Sequence, residues 1–157
     1  MNTVSQQLQT QPDSLEKVTA LRSLGNAQQQ LGDLEQSKEN LQQSLEIAQR
    51  LQLPLEISLT EFSLGNTARV LGKIEDAITH YENAALVASN PLTKVQAQIN
   101  QLSLLALNER IAEAQTLIPT IQSQLATVPT TQVGIYARIN FARTISKIGN
   151  QKNIAEI

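Results

Sequence analysis

This chain contains no cysteine and no tryptophan, and only four of its 157 residues are phenylalanine or tyrosine. Without cysteine, the protein has neither a disulfide framework nor a thiolate metal site. Because aromatic residues are scarce, the apolar positions fall to leucine, isoleucine and alanine, which suit the packing of one helix against another. The composition therefore favours an all-helical core.

Signals for membrane and nucleic-acid binding are also missing. The first ten residues are polar and rich in glutamine, so they do not have the apolar core of a signal peptide. No apolar run approaches the roughly 18 residues that a bilayer span needs. The formal net charge of -2 indicates no basic surface for nucleic acid. We therefore predict a cytoplasmic protein with no membrane partner and no nucleic-acid partner.

The side chains that catalysis needs are equally sparse. The one histidine, His80, is predicted to lie near the solvent side of a helix, with no nucleophile or orienting group placed around it. No glycine-rich phosphate loop and no metal-ligand cluster is present. We predict no catalytic residue, no cofactor, no metal site and no enzymatic activity. Three glutamates lie within helical reach of two cations and are predicted to form ion pairs with them: Glu35, Glu39, Glu46, Lys38 and Arg50.

What the sequence does contain is a repeated phrase. Leu24-Gly25-Asn26 is followed seven residues later by Leu31-Gly32, and the same words return forty residues on as Leu64-Gly65-Asn66 and Leu71-Gly72. A repeat at a fixed period of this length is typical of a solenoid, in which each unit buries its apolar face against its neighbours. We predict an all-α solenoid of about three and a half helix-turn-helix repeats.

Apolar periodicity and helix-breaking residues set the predicted boundaries. Asp13 is expected to cap the first helix, Pro119 to kink or break the second helix of the third repeat, and Gly149 to end the last helix. In the third repeat, Asn108-Glu109-Arg110 stands where the others have Leu-Gly. The N-terminal segment is residues 1–12 and the repeat domain 13–157, with repeats at about 13–53, 54–90, 91–128 and 129–157, the last incomplete.

At these positions the chain resembles the tetratricopeptide repeat (TPR) family. That family has Leu-Gly in the first helix, glycine at the turn and small residues in the second helix, matched here by Leu64-Gly65, Gly72, Ala77 and Ala84. The period near forty is similar to the kinesin-light-chain subclass. The glutamine-rich phrases resemble the repeat region of cyanobacterial proteins with a caspase-like CHAT domain. The resemblance implies that the solenoid is a right-handed α-α superhelix of the TPR type. It also implies that this solenoid acts as the regulatory or sensing part of a larger signalling protein.

The resemblance also implies a binding groove lined by the first helix of each repeat, which holds a protein or peptide partner. Asn26 and Asn66 each follow a Leu-Gly pair, and an asparagine amide can both donate to and accept from a peptide backbone. Arginines in the groove favour an acidic or polar peptide. The family pattern places these residues in the groove: Arg22, Asn26, Gln29, Phe62, Asn66, Arg69, Asn100 and Arg143.

The incomplete fourth repeat supports an alternative hypothesis. Without a partner helix, its first helix leaves an apolar face that includes Tyr136, Phe141 and Ile145 in water. We expect that the chain is a fragment of a longer protein, or that another copy or a partner covers this face. Self-association as a homodimer through the terminal repeat is therefore the second predicted function.

Overall fold

The computed structural model describes residues 7–8 and 10–155, with side chains as far as Gly149. Within these residues the fold is all-helical, without a strand. None of the helices in this part of the chain combines the length and the apolarity of a membrane span. The long helices are α1 (Leu15–Leu31), α2 (Leu34–Arg50), α3 (Pro54–Val70), α4 (Ile74–Val87), α5 (Pro91–Leu107), α6 (Ile111–Thr127) and α7 (Gln132–Ala155).

The helices form two compact units, Met1–Ser89 and Asn90–Ile157. In the first unit each helix packs against the next, and the first helices α1 and α3 also touch. In the second unit α6 and α7 both pack against α5. The prediction of an all-α fold built from helix-turn-helix pairs is confirmed.

Aliphatic side chains fill the core of the first unit. Val18 and Leu21 of α1 pack with Ile47 of α2 in one cluster. Leu41 of α2 packs with Leu64 of α3 in another. α2 therefore buries one side against α1 and another against α3, as stacked repeats require.

The turn between the two helices of each pair needs one residue in the left-handed region. Gly32 has φ 87° and Gly72 has φ 73°, and both are glycines of the repeated phrase. The corresponding residue between α5 and α6 is Glu109, with φ 60°. The turn between α5 and α6 therefore has the same backbone shape as the other two although it contains no glycine. The Cβ atom of Glu109 makes the left-handed conformation less favourable than it is for glycine.

We expect Glu109→Gly to raise the free energy of unfolding of the second unit by about 1 kcal/mol, because the left-handed conformation costs an L-residue roughly 1–2 kcal/mol. Glu109→Ala is the matched control, since it removes the carboxylate and keeps the strained Cβ. Denaturant unfolding followed by circular dichroism measures both. A Glu109→Gly protein no more stable than Glu109→Ala would contradict this explanation of the turn.

The start of α1 differs from its prediction. Ser14, not Asp13, is the N-cap, and its side chain accepts a hydrogen bond from the backbone N–H of Lys17 at 3.2 Å. The carboxylate of Asp13 instead accepts hydrogen bonds from Nε and Nη2 of Arg50 at 3.1 and 2.7 Å. These hydrogen bonds lower the pKa of the Asp13 carboxyl. Arg50 therefore joins the ends of α1 and α2 and does not form the predicted pair with a glutamate of its own helix.

The predicted break of α6 at Pro119 and the predicted end of α7 at Gly149 are wrong. α6 continues through Pro119, which is exposed, so the carbonyl that loses its backbone donor can bind water instead. α7 continues through Gly149 to Ala155. Glycine weakens a helix without ending it unless the following residues form a turn. Here the next residues are Asn150 and Gln151, with no proline.

Candidate functional site

An ion pair connects the first helices of the first two pairs. Nη2 of Arg22 in α1 donates to Oε2 of Glu56 in α3 at 3.0 Å. The two side chains are only 18% and 11% exposed. Nε of Arg22 is buried and has no hydrogen-bond partner among the described residues. Arg22, predicted to contact a peptide, therefore already has an acidic partner within the protein.

The asparagine of the second repeated phrase is held by an aromatic pair. The hydroxyl of Tyr81 in α4 donates to Oδ1 of Asn66 at 2.7 Å. Phe62, one turn before Asn66, packs edge to face against Tyr81 with ring centroids 5.6 Å apart and planes at 62°. Because the hydrogen bond engages the amide oxygen, it fixes the direction of the half-buried amide, whose N–H groups make no hydrogen bond to another residue that the structure describes.

The glycine before this asparagine makes room for the tyrosine ring. A Cβ atom on Gly65 would lie 2.7 Å from Cε1 of Tyr81 and 2.8 Å from its Cδ1. The same relation occurs in the first pair, where a Cβ on Gly25 would lie 2.7 Å from Cγ of Leu41. In both pairs the glycine thus serves the packing of the second helix onto the first.

The other predicted site residues are distributed over both units. Asn26 and Gln29 in α1 are half-buried, and neither side chain makes a hydrogen bond to another residue that the structure describes. Arg69 is exposed in the last turn of α3. In the second unit, Asn100 is half-buried and Arg143 exposed. The first unit therefore brings six predicted residues onto two touching helices, α1 and α3: Arg22, Asn26, Gln29, Phe62, Asn66 and Arg69.

A second polar cluster between α3 and α4 was missed by the sequence analysis. Nδ1 of His80 lies 2.6 Å from Oε2 of Glu61, and Nδ2 of Asn83 donates to the other oxygen of that carboxylate at 3.3 Å. The Glu61 side chain is 6% exposed and His80 23%, so His80, expected near the solvent side of its helix, is half-buried beside a buried carboxylate. In the sequence, only the i,i+3 spacing of His80 and Asn83 indicated that these two side chains lie on one side of a helix. Among the described residues no hydroxyl bonds to this imidazole, so the pair lacks the nucleophile of a catalytic triad.

The outer side of α2 has an open polar groove, and three of its six lining residues are glutamates. Its volume is about 420 Å³. In the part of the chain that the structure describes, its carboxylates form no ion pair, so the predicted pairing along this helix is wrong. The groove is lined by Glu35, Lys38, Glu39, Gln42, Gln43 and Glu46.

Comparisons with known proteins agree with this architecture. Residues 18–50 match the family described as Tetratricopeptide repeat. No curated protein sequence matches the chain. A solved structure from Podosopora anserina, described as kinesin light chain nearly identical TPR-like repeats, aligns with a TM-score of 0.73 at 16% identity, over 99% of this chain and 78% of that one. A single-residue variant of it aligns with a TM-score of 0.74 at 15% identity and the same coverage.

These likenesses differ in what they show. The structural matches, at such low identity, concern the fold, and they cover nearly the whole chain. The family match concerns the sequence, and it spans most of α1 and all of α2. The chain is therefore similar throughout to solved TPR-like repeats, and its first helix pair carries the sequence pattern of the tetratricopeptide repeat family.

Proposed function

We propose that this chain is a protein-interaction module that binds a peptide along the first helices α1 and α3. Tetratricopeptide repeats generally mediate protein–protein interaction and are generally scaffolds without enzymatic activity. The observation that carries the proposal is the hydrogen bond from Tyr81 to Asn66, because it orients a polar group on the surface of the first helices.

An oriented amide suits recognition of a peptide backbone. With its oxygen held by Tyr81, Asn66 presents N–H donors, which fit the carbonyl groups that every extended peptide carries. A side chain that is already fixed loses less conformational entropy on binding. Asn26 occupies the same position of the preceding repeated phrase, and its amide has no hydrogen bond to another described residue. Two amides on touching helices can therefore bind one peptide.

The charges at this site favour a polar or acidic peptide over a basic one. Glu56 neutralises Arg22, so Arg69 is the exposed cation on α3. Guanidinium groups bind carboxylates in a bidentate manner.

The proposal also covers the location and the wider role of the module. It places the protein in the cytoplasm and makes the module the regulatory or sensing part of a larger signalling protein. Cyanobacterial proteins with a caspase-like domain are the kind of larger protein that the proposal includes.

We expect Asn66→Ala to weaken peptide binding about tenfold, the effect of losing one or two hydrogen bonds worth about 1 kcal/mol each. The probe is a peptide selected on the wild-type protein from a random display library, and the measurement is isothermal titration calorimetry. Tyr81→Phe should weaken the same peptide less, because the amide stays in place but is no longer oriented.

Gln42→Ala is the matched control, since it removes an exposed amide from the outer side of α2. It should leave both affinity and melting temperature unchanged. Equal affinities of the wild type and Asn66→Ala for the selected peptide would remove Asn66 from the site. A library that yields no peptide for the wild-type protein would count against the proposed function as a whole.

A further inference from the structure

Charge is divided unevenly between the two units. Residues 90–157 contain six of the twelve lysines and arginines but only three of the fourteen aspartates and glutamates. The formal net charge is therefore +3 for this unit and -5 for residues 1–89. Two helices contain charged residues of mainly one sign, because α7 has no acidic residue and α4 has neither lysine nor arginine.

One side of α7 presents an apolar patch followed by cations. Ile135, Tyr136 and Ile139 are 44%, 56% and 39% exposed. Arg143 and Lys147 follow Ile139 at four and eight residues, and both are exposed. Contiguous exposed apolar residues bordered by charge are typical of an interaction surface. We define these five residues as the α7 face, which changes from apolar to basic toward the C-terminus.

The outer side of α4 has the opposite chemistry in the opposite order. Leu86, near the C-terminal end of this helix, is 74% exposed, more than any other large apolar side chain that the structure describes. Val87 beside it is 37% exposed. Glu82 lies one turn before Leu86, and Asp76 lies in the first turn, both exposed. These four residues, the α4 face, change from acidic to apolar toward the C-terminus.

We propose that the α7 face of one copy packs antiparallel against the α4 face of a second copy. With Ile139 opposite Leu86, Arg143 lies opposite Glu82, because both pairs are separated by four residues on a helix. Further along, Lys147 lies about 12 Å from Ile139 and Asp76 about 15 Å from Leu86, at a rise of 1.5 Å per residue. A lysine side chain spans the remaining difference. In this single register Ile139 meets Leu86 and the two cations meet the two carboxylates, while Ile135 and Tyr136 extend past the C-terminal end of α4.

The same chemistry disfavours contact between two α7 faces. A parallel pairing would bring Arg143 and Lys147 of one copy against the same cations of the other, and an antiparallel pairing would cover them with apolar side chains. The homodimer predicted from the terminal repeat also relied on Phe141 and Ile145, which are buried and half-buried in the structure. The contact proposed here joins two different surfaces and is heterologous.

Sedimentation equilibrium of the 157-residue chain tests this contact directly. We expect the weight-average mass at low salt to rise as the protein concentration is increased to about 0.2 mM. Concentrations of this order populate complexes that are specific but weak. Raising the salt concentration from about 0.05 to about 0.5 M should lower the mass, because it screens the pairing of exposed charges. Glu82→Arg should raise the dissociation constant at least about tenfold, since it places like charges opposite each other. Ile139→Ser should do the same through the apolar part.

Combining Glu82→Arg with Arg143→Glu restores opposite charges and should restore association to near the wild-type constant. Lys38→Glu on α2 has no role in either face and should leave association unchanged, while circular dichroism confirms that each variant is folded. A wild-type chain that stays monomeric throughout would overturn the proposal and leave the α7 face to a foreign acidic partner. Association that is insensitive to Glu82→Arg would overturn it as well. Because no peptide is used, these outcomes are independent of the proposed peptide binding.

Discussion

Gly65→Leu is expected to lower the free energy of unfolding by about 3 kcal/mol, at the upper end of what overpacking a core usually costs. The Cβ atom alone would lie 2.7 Å from the Tyr81 ring, before the rest of the leucine is added. The ring cannot easily move away. Tyr81 is fully buried, packs against Phe62 and donates its hydroxyl proton to Asn66. The substitution therefore forces α3 and α4 apart.

Two controls separate this clash from the general effects of changing a helical glycine. Gly65→Ala adds only the first carbon and should cost less than Gly65→Leu. Gly149→Ala, in α7, meets no heavy atom within 4 Å and should raise stability by up to about 1 kcal/mol through helix propensity. Thermal unfolding followed by circular dichroism ranks the three variants. A Gly65→Leu protein that melts with the wild type would contradict the packing of α3 on α4.

The role of Gly65 could be predicted because its signal is repeated in the sequence. A glycine that returns forty residues later at the same point of an apolar stripe indicates a close approach of two helices, and Gly25 and Gly65 both show it. The small residues of the second helix are similarly informative, since Ala77 and Ala84 are fully buried. Local periodicity records which side of a helix is packed, so these features are readable without a structure.

The partners of the polar residues could not be predicted in the same way. Arg22 and Glu56 are 34 residues apart, and Asn66 and Tyr81 are 15 apart, so each pair depends on how one helix is rotated against another. Arg50 shows the resulting error. Its spacing suggested glutamates of its own helix, whereas the antiparallel packing of α1 and α2 brings it to Asp13. Exposed pairs within one helix stabilise it by only about 0.2–0.5 kcal/mol, so a tertiary contact readily replaces them.

Arg22→Met is expected to lower the free energy of unfolding by about 2 kcal/mol, somewhat less than a fully buried pair because both side chains are slightly exposed. The substitution leaves the carboxylate of Glu56, which is 11% exposed, without its cation. Chemical denaturation of the whole chain measures this loss in the free energy of unfolding. The double variant Arg22→Met with Glu56→Leu should recover most of it, because no buried charge then lacks a partner.

The double variant also separates the two roles that Arg22 could have. If Arg22 serves only to join α1 to α3, a folded double variant should bind the selected peptide as tightly as the wild type. If the guanidinium also contacts the peptide, as the family pattern implies, the affinity of the double variant should fall while its stability does not. A single variant as stable as the wild type would show instead that the ion pair contributes nothing to the packing of these helices. Comparing the stability of the double variant with its affinity thus decides whether Arg22 only joins α1 to α3 or also contacts the bound peptide.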